Sequence, residues 1–299
     1  MKKDLLTLRD LAPGDLQEIF ERTEKLKKER GRSAEKPLAG KSVGLIFAKS
    51  STRTRVSFEV GVAELGGNPL YLDQGKMQVG RGETVPDTAR VLSRFLHGIV
   101  IRTYRHGDVA ELAAHASIPV INALTDEYHP CQILADLFTM KEYTGRVEGT
   151  KLVFYGDGRS NIANSLINAA HLVNFELVIA APAAFRPDPA VIDGAGNVRW
   201  EEDPLAAAKN ADYVYTDVWV SMGFEEERSE RMKIFQPYQI DRKVIAAAKK
   251  QVKFLHCLPA HRGEEVAADV MDDPAVSIVF DEAENRLHVQ KAVMAMLIK

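Results

Sequence analysis

Residues Ile46 to Glu59 read IFAKSSTRTRVSFE. An apolar run closes at Ala48, and SSTRTR then packs two serines, two threonines and two arginines into six positions before apolar periodicity resumes. The run Val43 to Phe47 has strand character. The segment from about Arg53 has helical spacing and is closed by Gly66 and Gly67. The junction is therefore a strand-to-helix turn of an α/β sheet, where ligands bind beyond the strands' carboxyl ends and the next helix offers unpaired N–H groups. Hydroxyls of Ser51, Thr52 and Thr54, together with the Arg53 fork, suit capture of a phosphate. The stretch is not a Walker loop, which needs glycines and a lysine in fixed places. A plain Ser or Thr cap followed by exposed arginines is the competing reading of these residues alone.

The same alternation extends along the chain. Candidate strands are Val43 to Phe47, Gly98 to Arg102, Ile118 to Asn122, Lys151 to Tyr155, Glu176 to Ala180, Ala211 to Thr216 and Lys253 to His256. Helical patterns fall between them, the first entered near Pro13, so the fold class is α/β with parallel strands. Gly145 to Gly149 is the best linker between two α/β halves. With 299 residues, 45% of them hydrophobic, the chain can bury a large core in two domains. A net charge of −3 gives no field for nucleic acid, and the basic run Lys25 to Arg32 reads as a solvated face. No apolar h-region opens the sequence and no stretch is long enough to span a bilayer, so no membrane association and a cytoplasmic location are expected. Two cysteines, Cys131 and Cys257, without a secretory signal argue against a disulfide framework.

Three further clusters carry chemistry. YHPCQILAD, from Tyr128 to Asp136, puts Pro130 in a first helical turn with His129 at the cap and Gln132 close by. DVWVSMG, from Asp217 to Gly223, offers a carboxylate, a hydroxyl and a glycine directly after a strand, suited to an amino acid's ammonium group or to an ordinary turn. FLHCLPAHRGEE, from Phe254 to Glu265, ends a strand with His256 and Cys257. Strand alternation puts these two on opposite faces, so they are not expected to act as a pair, and no zinc spacing is completed. LVFYGDGRSNIANS, from Leu152 to Ser165, imitates a dinucleotide fingerprint, but Asn161 stands where its third glycine belongs. Asn161 and Asn164 are better read as polar groups for a small ligand.

Taken in order, these motifs resemble the aspartate/ornithine transcarbamoylase family, most closely its ornithine branch, over nearly the whole chain. AENRLH, from Ala283 to His288, is similar to the family's C-terminal signature. Ser160 departs by standing where the family commonly has asparagine, while Asn161 is retained. The resemblance implies two domains, each a parallel-sheet α/β sandwich, joined by helices. A carbamoyl phosphate domain would span 1–145 with the C-terminal helix 283–299 packing back on it, and an ornithine domain 150–282, with the site in the cleft. It implies that Ser51, Thr52, Arg53 and Thr54 bind phosphate, that Arg102 reaches phosphate and carbonyl oxygens, and that His129, Pro130, Cys131 and Gln132 hold the carbamoyl group. Arg286 completes that pocket, and Gln78 reaches in from a neighbouring protomer of a homotrimer. Ornithine would lie against Asn161, Asp217, Ser221 and Met222, with Cys257 and the Leu258 backbone near its side-chain nitrogen and the carbamoyl group. Arg102, His129, Gln132, Asp217 and Cys257 would be the catalytic set. The reaction implied carries the carbamoyl group of carbamoyl phosphate to the side-chain amine of L-ornithine, a step of arginine metabolism, by direct attack without covalent enzyme intermediate, cofactor or metal. Other acceptors, putrescine or acetylornithine, and remotely a non-catalytic or dinucleotide-binding α/β protein, are the alternatives.

Overall fold

The structure, a computed structural model, describes residues 3–79, 82–192, 196–220 and 225–299. The chain forms two compact units, Met1–Phe138 with Glu284–Lys299, and Thr139–Ala283. The first holds four parallel strands, β1 (Ser42–Phe47), β2 (Asn68–Asp73), β3 (Gly98–Arg102) and β4 (Val120–Leu124), in the order β2-β1-β3-β4. The second holds β5 (Lys151–Tyr155), β6 (Glu176–Ala180), β7 (Val198–Glu201), β8 (Tyr213–Thr216) and β9 (Lys253–His256), all parallel, in the order β7-β6-β5-β8-β9. β3 and β5 are buried at every residue, as continuous apolar strands covered on both faces are.

Two strands escaped the sequence. β2 and β7 each lie at one edge of their sheet and lack an apolar run: β2 carries Pro69 and is partly exposed along its length, and β7 is four residues of mixed polarity. β4 begins two residues later than expected because Pro119 precedes it, and its outer edge is covered by Leu5, whose N–H donates to Val120 O at 3.0 Å. β8 begins at Tyr213 because Asp212 turns its carboxylate to the Lys151 N–H (2.9 Å) and to Lys249.

The helix Val279–Leu297 packs on the first unit through its later turns. Lys291 Nζ lies 2.6 Å from Glu64 at the end of the helix Thr52–Glu64, and Gly61 on that helix gives space to Met294. Gly98 at the start of β3 leaves space for Ile298, whose side chain would have to shift for a Cβ there, 2.7 Å from its Cδ1. His288 is fully buried on the same helix, with Glu284 3.5 Å away, and burial with the Lys291 charge lowers its pKa to about 4. Arg30 acts in the same sense and Glu284 against it. Below about pH 6.5 the unfolded chain binds this proton before the folded one does. Stability is therefore full above that pH and is lost as pH falls toward 4. The urea midpoint is expected to drop between pH 7 and 5, and to drop less in His288→Leu.

Candidate active site

In the first unit the chemistry gathers beyond the carboxyl ends of β1, β3 and β4. Ser51 caps the helix Thr52–Glu64, its Oγ accepting from the Thr54 N–H at 3.3 Å, so the capping reading and the ligand reading of SSTRTR coexist. Thr54 is buried, and its Oγ1 receives two guanidinium groups: Arg286 Nη2 at 3.0 Å and Arg102 Nη1 at 3.4 Å. Arg102 is the last residue of β3, and Arg286 comes from the helix Val279–Leu297; both are buried. Two cations converging on one hydroxyl at a helix N-terminus make a strongly anion-seeking corner. Thr52 and Arg53 lie exposed in the helix's first turn, while Arg55 turns away to Glu59 (2.8 Å) and stacks 3.8 Å from the Tyr71 ring centre.

His129 is buried just before the helix Pro130–Thr144. Burial, then the Arg286 and Arg102 charges, hold its pKa well below the ordinary histidine value, so it is a neutral imidazole able to donate without carrying charge. Gln132 Nε2 donates to Asp136 one turn on, at 2.8 Å, which fixes the amide. The Cys131 thiol instead donates to Asn122 O at 3.6 Å, and burial raises it to about 12, so Cys131 offers its backbone rather than its sulfur. Gln78 is exposed on this unit. A residue missed in the sequence is Lys49, nearly buried, 2.5 Å from Asp126 and 4.1 Å from the Tyr104 ring centre, which anchors the turn before Ser51. A lysine inside a turn otherwise read as ligand-facing was its only signal.

In the second unit the carboxyl ends of β8 and β9 bring Asp217 and Cys257 together: Cys257 Sγ donates to Asp217 Oδ1 at 3.0 Å, and Val218 N–H donates to the same oxygen at 2.8 Å. Leu258 holds a left-handed backbone (φ 60°), and its N–H donates to His256 Nδ1 at 2.8 Å. The other ring nitrogen meets Glu265 Oε1 at 3.2 Å, which also accepts the His261 N–H at 2.5 Å. Burial opposes ionisation of Glu265, but those hydrogen bonds outweigh it and keep the pKa low. The expected separation of His256 from Cys257 needs correction, because ligand atoms of Asp217, His256 and Cys257 lie within 4.8 Å of one another. β9 ends at His256, and alternation ends with it. Their partners still differ: the ring braces the Leu258 turn and the thiol serves Asp217.

Asn161 is half-buried at the first position of the helix Asn161–Leu172, and Ser160 caps it by accepting from Ala163 N–H at 3.2 Å. The glycines of the preceding turn serve the backbone and its packing: Gly156 holds a φ of 135°, and a Cβ on Gly158 would lie 2.7 Å from Phe185 O. Ser221 and Met222 lie outside the described residues. A cavity of about 580 Å³ opens at the other end of the second sheet, at the strands' amino ends. None of the sequence-predicted site residues lines it, and Lys249 and Asp212 pair there at 2.7 Å, whereas the site residues gather at the carboxyl ends.

The first sheet thus presents a helix N-terminus with two guanidinium groups, and the second a carboxylate–thiol pair. Residues 3–142 match the carbamoyl-P binding domain, and residues 148–297 the Asp/Orn binding domain, of aspartate/ornithine carbamoyltransferase. The ornithine carbamoyltransferase of Syntrophus aciditrophicus is 53% identical over 100% of both chains. Among solved structures, the Pyrococcus furiosus ornithine carbamoyltransferase superposes with a TM-score of 0.94 at 47% identity, covering 99% of this chain and 96% of that one. The Thermus thermophilus enzyme gives 0.92 at 41%, covering both chains fully. The chain belongs to the aspartate/ornithine carbamoyltransferase family.

Proposed function

We propose that the protein transfers the carbamoyl group of carbamoyl phosphate to the side-chain amine of L-ornithine, giving L-citrulline and phosphate. The observation that carries this reading is the convergence of Arg102 and Arg286 on Thr54 beside a neutral His129. Ser51, Thr52, Arg53 and Thr54, with the helix N-terminus, hold the phosphate, and Arg102 and Arg286 stabilise the charge that grows on phosphate and carbonyl oxygens as the bond to phosphate breaks. His129 donates to the carbamoyl oxygen, which a protonated ring so close to two arginines could do only at great electrostatic cost, and Gln132 orients the carbamoyl amide. Asn161, Asp217, Ser221 and Met222 receive the amino acid, and Asp217 with Cys257 and the Leu258 backbone aims its side-chain amine.

The amine lone pair attacks the carbonyl carbon, the tetrahedral adduct collapses by cleavage of the carbon–oxygen bond to phosphate, and the amine's surplus proton leaves with phosphate. Cys257 orients rather than attacks, because an acyl-enzyme would add a step without easing one. We place Gln78 in a neighbouring protomer's site within a homotrimer, and the protein in the cytoplasm; no helix among the described residues is long and apolar enough to cross a membrane. Assays with ornithine, putrescine, acetylornithine and aspartate as separate acceptors are expected to show transfer to ornithine at least about a hundredfold above the others, because only ornithine satisfies both the amine and the α-amino-acid groups. Preference for putrescine would move the protein to another branch. Tight binding of reduced nicotinamide nucleotide without carbamoyl transfer would overturn the family of readings altogether.

A further inference from the structure

The helix Arg228–Phe235 reads ERSERMKIF with its preceding residue, a charge-rich surface segment, yet its Arg231 side chain is only 11% exposed. Its Nε donates to Trp219 O at 2.6 Å and its Nη2 to Asp157 Oδ2 at 2.7 Å. The guanidinium lies 5.0 Å from the Phe185 ring centre and 5.3 Å from that of Phe235, with Glu227 3.7 Å from Nη1. Trp219 stands two residues past Asp217 at the end of β8. Asp157 stands in the turn after β5 that leads to Asn161. β5 and β8 are direct neighbours, with Tyr155 opposite Thr216. One side chain therefore ties two adjacent strand ends, each of which carries an acceptor-recognising residue.

We propose that Arg231 is a positioning residue for the amino acid acceptor, setting the spacing between Asp217 and Asn161 through the Trp219 carbonyl and the Asp157 carboxylate. The proposal rests on reading those two residues as ornithine-recognising. The planar fork makes this possible, because its Nε and Nη2 serve two acceptors in fixed directions while its faces lie against aromatic rings, which an ammonium cannot reproduce. The tie also has a rigid floor. Trp219 is buried and stacks on Phe235 at 6.2 Å, and the second oxygen of Asp157 accepts from the Arg159 N–H at 2.9 Å.

The test uses the full chain with Arg231→Gln, Arg231→Lys and Asp157→Asn, reading both Michaelis constants, kcat, the melting temperature and calorimetric binding of inorganic phosphate. Expected are a rise of about tenfold or more in the ornithine KM for Arg231→Gln, about threefold for Arg231→Lys, and a carbamoyl phosphate KM within about twofold of wild type. Asp157→Asn placed on Arg231→Gln adds less than about twofold, because its partner is already gone. Phosphate affinity stays unchanged. A merely structural tie would lower the melting temperature and leave both Michaelis constants in place; that result overturns the proposal, as does an equal rise in both constants. Should Arg231→Gln fail to fold, Arg231→Lys and Asp157→Asn carry the same comparison. A wild-type protein that carbamoylates no ornithine sinks the acceptor reading and this proposal with it, whereas a wild type that does so, with an unmoved ornithine KM in the variants, sinks the role of Arg231 alone.

Discussion

Arg286→Gln is expected to lower kcat/KM for carbamoyl phosphate by about 10³-fold while the protein stays folded. Arg286 is buried and donates to Thr54 at 3.0 Å, so the amide keeps much of the packing and loses the charge. The loss falls mainly on the transition state, where charge moves onto the leaving phosphate, and it should therefore appear in kcat as well as in KM. A second readout is specific to the geometry. The Arg286 charge is the second cause, after burial, of the low His129 pKa, so removing it moves the His129 titration up toward the ordinary value without reaching it. Wild-type turnover and an unmoved His129 would show that the guanidinium pair on Thr54 is only a structural tie.

Equally large in range is the expected rescue of two dead variants by mixing. Arg53 and Gln78 are both exposed on the first unit, and the proposed trimer would set them in one shared site. Arg53→Ala removes the cation, Gln78→Glu sets a negative charge against the phosphate, and each homotrimer is expected to be nearly inactive. After an equal mixture is unfolded and reassembled, about three-quarters of random cyclic trimers are mixed. Going once round any mixed ring meets one interface at which an intact Arg53 faces an intact Gln78, so about a quarter of wild-type activity returns. Hybrid trimers that stay as inactive as their parents would remove Gln78 from the site.

What could be read from the sequence was what is encoded locally. β1, β3, β5, β6 and β9 declare themselves as short apolar runs because they are buried along nearly their whole length, whereas the edge strands β2 and β7 are only partly buried and so lack the signal. The cap at Ser51 and the clusters at His129 and Asp217 are readable because they sit at strand-to-helix junctions. Which arginine of SSTRTR turns away was not: Arg55 is claimed by Glu59 one turn later and by Tyr71 on β2, a partner set by the tertiary fold. The meeting of Thr54 with Arg286 spans 232 positions, and that of Asp157 with Arg231 spans 74. The first was reachable only through family resemblance. The second lay hidden because a buried arginine in a run of charged residues has the same letters as an exposed one.

The order in which the chain is made gives the divided first unit a history. All four strands of its sheet are complete by Leu124, but the segment Glu284–Lys299, with Arg286, Met294 and Ile298, follows the 145 residues of Thr139–Ala283. At roughly 5–20 residues per second, a ribosome holds the nascent sheet without its closing helix for roughly 7–30 s. Through that interval Gly61 and Gly98 lack the Met294 and Ile298 side chains that cover them, and the anion-seeking corner lacks one of its two cations. The inserted unit, by contrast, is continuous in sequence and can fold as it emerges. The anion-seeking corner of this protein is therefore completed only late in synthesis, once Arg286 has been made.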